Sequence, residues 1–321
     1  MPRPQTILVH APVSDALIES IRAAAPYATV LSPAQLKERP EAWREGDVLF
    51  THLIKPERLR EATKLRWIQT MGAGVEWLLA PDLVERKDLT ITNASGVHAE
   101  PIAEHVFALM LALARRLPEV LAFQREQRWE TAKFLTGVPT LSGSTLGILG
   151  VGAIGRHIAA IGAAFGMRVI GMRRGGDSVA NVEQMYRPDQ LHELLAQSHY
   201  VVNALPMTKD TRGVLGAAAF AAMRGDAVLI NIGRGGTVQT GALVAALREK
   251  RIGGAGLDVT DPEPLPSDHP LWKVENVIIT PHFSGGRPGY ADQVTGIFLR
   301  NLAKYEAGEP LENVVDPHAG Y

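Results

Sequence analysis

The chain has 321 residues, no cysteine, and 33 Lys and Arg against 34 Asp and Glu, a net charge of -1. That balance removes the bulk electrostatic term that would draw it to nucleic acid or an anionic membrane, and the missing cysteine excludes disulfides, thiolate catalysis and thiolate-held metals. Single cores stop growing near ~250 residues, so the length predicts two domains, with a small molecule as the partner.

The N-terminal stretch MPRPQTILVHAPVSD has only the short apolar run Ile7 to Val9 before Pro12, too little for a signal-peptide core. With the absence of cysteine this predicts a soluble protein of the cytoplasm. Short β-branched runs follow at Ile7 (ILV), Asp47 (DVLF), Trp67 (WIQ) and Thr90 (TIT), alternating with helical patterns, which predicts a parallel sheet covered by helices. A helix is predicted from Pro101, with Ile102, Val106, Leu109, Leu113 and Leu117 at helical spacing and Pro118 as its stop or bend. Its most apolar part, Val106 to Ala114, is far shorter than the roughly 20 residues a membrane span needs.

A second α/β series starts at LGILG and continues through RVIGM, YVVNAL, AVLINI, GAGLDV and VIIT, six strands in the rhythm of a doubly wound sheet. After Gly289 one amphipathic helix carries Val294, Phe298, Leu302 and Tyr305, followed by the polar tail PLENVVDPHAGY. The boundary between the two halves rests on the pattern restarting near residue 100.

Gly150-Val151-Gly152-Ala153-Ile154-Gly155 follows an apolar strand and opens a helix with Ile158, Ile161 and Phe165 on one face. In that context the first glycine makes a tight turn, the second lets backbone approach a pyrophosphate, and the third permits close helix–strand packing. A ligand-free tight turn is the plainer reading of the same residues. Where an NAD site would end the next strand in Asp or Glu, this chain has Arg173 and Arg174, which suit bidentate pairing with a 2′-phosphate and favour NADP(H), with NAD(H) as the second choice. Solvation of both arginines is the alternative.

Three later segments place polar residues after apolar strands, where the ligand crevice of such a sheet lies. They are INIGRGG with Arg234, LDVTDPEPLP with Asp258 and Glu263, and VIITPHFSGG with His282. Each alone has an ordinary reading: a surface ion pair, a solvated carboxylate, a structural histidine. Together they match reduction of a 2-keto acid. Histidine is the natural proton donor near neutral pH, a carboxylate beside an imidazole favours its charged form, and arginine binds a substrate carboxylate and steadies charge on the carbonyl oxygen. No metal site is predicted, since His98, His105, His157 and His192 lack a second ligand at useful spacing. Trp67, Trp77 and Trp272 read as packing residues.

GAGVEWLL, NASGVHAEPIAEHVFALMLALARR, LGILGVGAIGRHIAAIGAAFGMRVIG, LPMTKDTRGVLG, INIGRGG, DVTDPEPLP and TPHFSGG, in that order, make the chain resemble the D-isomer-specific 2-hydroxyacid dehydrogenases, with a tail similar to that of glyoxylate/hydroxypyruvate reductases. The resemblance implies an α/β fold of two doubly wound parallel-sheet domains, a Rossmann-type cofactor domain at 99–289 inserted in a smaller flavodoxin-like substrate domain of 1–98 plus 290–321. It implies substrate-carboxylate binding by the backbone of Ala73, Gly74 and Val75. Arg234 would bind substrate, Glu263 would be the partner carboxylate and His282 the acid/base. Asp258 would contact the nicotinamide carboxamide. The implied cofactor lining is Gly150, Gly152, Ala153, Ile154, Gly155, Arg173, Arg174, Leu205, Pro206, Thr211, Ile232, Gly233, Asp258, Ser284 and Gly285.

Arg173 departs from the Asp of many family members, and Glu263 departs from the His–Gln arrangement of formate dehydrogenases of this fold. The resemblance, with the apolar VFALMLALA run, implies a homodimer. His52, Leu53 and Met71 are expected to finish the substrate pocket. A non-catalytic NADP(H)-sensing protein of the same fold is the competing function; it needs the pocket but no proton donor.

Overall fold

Runs of Val, Ile and Leu become parallel strands where helices cover both faces of a sheet. In the computed structural model, which describes residues 3–319, this happens twice, in two compact units formed by residues 3–97 with 287–319 and by His98–Gly286.

The first unit contains β1 (Thr6–His10), β2 (Thr29–Leu31), β3 (Val48–Thr51), β4 (Trp67–Thr70) and β5 (Thr90–Thr92). They pair in parallel in the order β2-β1-β3-β4-β5, a flavodoxin-like arrangement. The helix Tyr290–Ala307 lies on one face, where Val294, Phe298, Leu302 and Tyr305 are buried with Ile7, Val9, Phe50 and Trp67. Phe298 stacks at 4.9 Å on Phe50 and 5.1 Å on Trp67. Met71, expected in a substrate pocket, has a side chain only 2% exposed and belongs to this core, whereas Leu53 is exposed.

The second unit contains β6 (Thr145–Leu149), β7 (Arg168–Met172), β8 (Gln184–Tyr186), β9 (Tyr200–Asn203), β10 (Val228–Asn231), β11 (Gly254–Leu257) and β12 (Val277–Ile279). Their order, β12-β11-β10-β9-β6-β7-β8, puts the switch in strand order between β6 and β9. Met172, Leu149, Asn203, Asn231, Leu257 and Ile279 are register partners in one continuous row. Residues that follow those six strands therefore share one edge of the sheet.

The helix expected from Pro101 runs Ala99–Ala114. Pro101 sits in its first turn, where the missing N–H has no helical acceptor to lose. Arg116 then adopts a left-handed φ of 53°, and a second helix, Leu117–Arg125, starts with Pro118 in its first turn; the proline opens a helix instead of closing one. Val106, Phe107, Leu109 and Met110 are buried inside their own unit with Leu146, Ile148 and Ile158. Most of the apolar run that pointed to a dimer surface is therefore core, with Leu111 and Leu113 only partly buried against it. Exposed apolar side chains lie just beyond it, at Leu117, Leu121, Trp129 and Leu135. No helix of the described residues is long and apolar enough to cross a membrane.

Candidate active site

At the end of β6 the backbone of Gly150 takes a φ of 95°, and a β-carbon there would stand 2.8 Å from the carbonyl oxygen of Ala204. A β-carbon on Gly155 would meet the Gly150 carbonyl at 2.4 Å, so the helix Ala153–Ala164 packs directly on the turn. Gly152 differs: a β-carbon there would meet nothing within 4 Å, and no side chain caps the helix that starts beside it. Open space in front of uncapped N–H donors fits a pyrophosphate. On the neighbouring strand ends, Gly233 lies so close to Leu205 that a β-carbon would come within 2.6 Å of its carbonyl. Thr211 donates from its hydroxyl to the Pro206 carbonyl at 2.6 Å, closing the loop after β9.

Arg173 and Arg174 follow β7 at the same edge. Arg173 donates to Asp177 Oδ2 at 2.8 Å, and Asp177 is largely exposed. Such a pair contributes at most about 1 kcal/mol, so it yields readily to a better anion.

Arg234 follows β10 in a turn fixed from beneath. Asn203 donates from Nδ2 to Asn231 Oδ1 (2.9 Å) and to Thr237 Oγ1 (2.7 Å); Asn231 Oδ1 also accepts from Gly233 N, and the Thr237 hydroxyl donates to the Arg234 carbonyl at 2.6 Å. These three polar side chains are buried and mutually satisfied, which holds the turn in one conformation. The Arg234 guanidinium donates back to the Gly233 carbonyl at 2.8 Å.

His282 comes two residues after Thr280 beyond β12 and has a left-handed φ of 51°. Asp258, at the end of β11 and 2% exposed, holds that conformation. Its carbonyl accepts from His282 N (2.9 Å), Oδ1 accepts from the Thr280 hydroxyl (2.7 Å) and Phe283 N (3.2 Å), and Oδ2 accepts from Ser284 N (3.1 Å). An unusual backbone conformation persists when several bonds determine it at once. The carboxylate expected at the nicotinamide also holds the histidine turn. His105, read from sequence as incidental, reaches Thr280 Oγ1 at 3.0 Å and lies 3.7 Å from Asp258 Oδ1. His98 Nδ1 lies 3.0 Å from the Gly285 carbonyl, and a β-carbon on Gly285 would crowd its ring at 2.7 Å. Nothing local in the sequence marks either contact.

Glu263 stands in the loop beyond β11, tied down by Thr240 Oγ1 donating to Asp261 O (2.7 Å) and Thr260 Oγ1 donating to Pro262 O (2.9 Å). Its Oε1 lies 2.6 Å from His282 Nδ1. Nε2 of His282 bonds to nothing among the described residues, and the side chain is half exposed. Ala73, Gly74 and Val75 belong to the other unit, in the loop between β4 and the short turn Glu76–Leu78. Among the described residues no group of three or more His, Asp or Glu is placed to hold a metal.

A glycine turn at the switch point of one parallel sheet, sharing an edge with a hydrogen-bonded His–Glu pair, is the arrangement of a dinucleotide-dependent oxidoreductase. Residues 107–284 match the family model described as "D-isomer specific 2-hydroxyacid dehydrogenase, NAD binding domain", and the chain belongs to that family. It is 36% identical over 300 residues to a glyoxylate reductase of Aeropyrum pernix, covering 91% of this chain and 86% of that one. A D-isomer specific 2-hydroxyacid dehydrogenase family protein from Aeromonas salmonicida has a similar structure at 36% identity, TM-score 0.84, covering 98% of this chain and 99% of that one. A third relative is the NADPH-dependent glyoxylate/hydroxypyruvate reductase of Sinorhizobium meliloti, solved with NADP and sulfate. It superposes with TM-score 0.86 at 27% identity, over 99% of this chain and 100% of that one.

Proposed function

We propose that this chain reduces a small 2-keto acid, of the size of glyoxylate or hydroxypyruvate, to its D-2-hydroxy acid, with NADPH preferred over NADH. The observation that carries the reading is the 2.6 Å contact between His282 Nδ1 and Glu263 Oε1, which leaves Nε2 as the ring nitrogen able to deliver a proton. When bound, the reduced nicotinamide supplies a hydride to the carbonyl carbon. His282 gives its Nε2 proton to the carbonyl oxygen. Glu263 orients the ring and stabilises its charged form. Arg234 steadies the negative charge that gathers on that oxygen and pairs with the substrate carboxylate. In the other unit, the N–H groups of Ala73, Gly74 and Val75 are the backbone donors proposed for a substrate carboxylate.

Gly150, Gly152 and Gly155 form the turn on which the pyrophosphate rests, with Ala153 and Ile154 in the first turn of the helix. Leu205, Pro206, Thr211, Ile232, Gly233, Ser284 and Gly285 line the same sheet edge. Asp258 would contact the nicotinamide carboxamide while it holds the histidine turn. NADPH preference is supported by Arg173 and Arg174 at the end of β7, and by the NADPH-dependent reductase of Sinorhizobium meliloti among the structural relatives.

The competing reading, a sensor without catalysis, leaves the His–Glu contact without a purpose. We also propose a homodimer, in which a second copy covers the exposed apolar side chains of the segment 117–135. Steady-state oxidation of NADPH with a panel of 2-keto acids tests the function. Tight NADPH binding with no turnover of any of them would replace it with the sensor.

A further inference from the structure

In the first unit the backbone of the loop leaving β4 is sorted by direction. Three consecutive carbonyls are held by the body of the unit: Met71 O accepts from the Tyr290 hydroxyl, Gly72 O from Thr70 Oγ1 (2.7 Å) and Ala94 N (3.1 Å), and Ala73 O from Asn93 Nδ2 (2.8 Å). In a planar trans peptide the carbonyl of one residue and the N–H of the next point in opposite directions. Pinning these three carbonyls inward therefore turns the N–H groups of Gly72, Ala73 and Gly74 away from the unit's body. None of them, nor that of Val75, meets an acceptor among the described residues. Successive outward N–H groups form a concave partial positive charge that suits an anion.

The two side chains that do the pinning are themselves fixed. Asn93 is 7% exposed, and its Oδ1 accepts from Ser95 N at 3.0 Å, so its amide cannot reverse without losing both bonds. Tyr290 starts the helix Tyr290–Ala307 and packs on the core that holds Phe50 and Trp67. Burial pushes its hydroxyl up to about 12, so it stays a donor across the neutral range.

We infer that Tyr290 and Asn93 are positioning residues for an anion cradle at Gly72–Val75 that receives the substrate carboxylate. They touch no substrate; they set the direction of the donors that do. The identity of the anion as a 2-keto acid carboxylate rests on the function proposed above, while the cradle itself rests on the hydrogen bonds of this loop.

Oxalate, a carboxylate that cannot be reduced in the site, is the probe. Its affinity for the NADPH-loaded full chain is measured by calorimetry in the parent, Tyr290→Phe and Asn93→Ala. Each variant is expected to weaken oxalate about three- to ten-fold, the effect of one misplaced hydrogen bond to a charged group. NADPH affinity should be unchanged, and KM for the keto acid should rise with kcat within about two-fold. A merely structural role would instead lower kcat and NADPH affinity together. If Asn93→Ala does not fold, Tyr290→Phe, which keeps the ring in its core, decides alone. Equal oxalate affinity in the parent and the folded variants overturns the positioning role of Tyr290 and Asn93, and no oxalate binding by the parent overturns the cradle. A parent that binds oxalate yet reduces no 2-keto acid removes the dehydrogenase reading and leaves the cradle standing.

Discussion

His282 and Glu263 face each other across 2.6 Å, and the two residues carry different expectations when changed. If His282 is the proton donor, His282→Ala should lower kcat by about 10²-fold or more while NADPH still binds, because general acid catalysis contributes on that scale and the proposed pyrophosphate turn at Gly150–Gly155 lies elsewhere on the sheet edge. Full activity in that variant, measured in the steady state, would remove the mechanism. Glu263→Gln keeps a hydrogen-bonding side chain but loses the charge, so its loss in kcat should be milder than that of His282→Ala. A kcat equal to that of the parent would show that the carboxylate does not serve the reaction. At the far end of the same edge, Arg173 would give up only an exposed pair with Asp177 to meet a 2′-phosphate, if NADPH is the cofactor as proposed. A charged hydrogen bond of roughly 1.5 to 3 kcal/mol predicts a kcat/KM preference for NADPH of about ten-fold or more, shrinking as salt rises. Arg173→Asp should reverse the order of the cofactors, and an unchanged ratio in that variant would show that the guanidinium stays with its neighbours.

The helix Tyr290–Ala307 illustrates how one element secures the first unit. Phe298 is fully buried between the rings of Phe50 and Trp67. Phe298→Ala should therefore cost about 3 to 5 kcal/mol in denaturant unfolding, a cavity as well as lost burial; a loss under about 1 kcal/mol would mean that the core closes over the gap. Farther along, Asn301 is fully buried and bonds the tail through Glu312 N (2.7 Å) and Glu312 O (3.1 Å). The Glu312 side chain returns to the helix, where the Arg300 and then the Lys304 hydrogen bonds hold its carboxyl below the usual carboxylate range. A carboxyl lowered in this way adds stability above that range, and the contribution disappears as pH falls through the lowered value. The difference in Tm between the parent and Glu312→Gln should accordingly be present at neutral pH and close below about pH 4. A difference that persists in acid would mean that the tail is held by Asn301 and packing alone.

For the whole molecule, the exposed apolar side chains of 117–135, with Trp129 almost fully exposed, are the surface a second copy would cover. Light scattering at micromolar concentration is expected to give a dimer mass, and a monomer mass would count against it.

By itself the sequence determined the strand runs and the glycine turn, and it singled out His282, Glu263 and Arg234 as the residues proposed for acid, partner and substrate arginine. Those depend on local properties: β-branched runs buried on both faces, a φ that only glycine takes easily at Gly150, and residue chemistry. Four strand runs of the first sheet and six of the second were legible in this way. β2 and β8 were not; parallel pairing with β1 and β7 is what makes these short segments strands. The break after Ala114 was also hidden, since a proline reads equally as a stop or a start until the chain's direction on either side is known. Only the tertiary structure decided that Asp258 spends its carboxylate on the His282 turn, that His105 reaches Thr280 across 175 residues, and that Tyr290 grips Met71 across 219. Bonds at such separations follow from sheet register and helix packing, which no local pattern encodes.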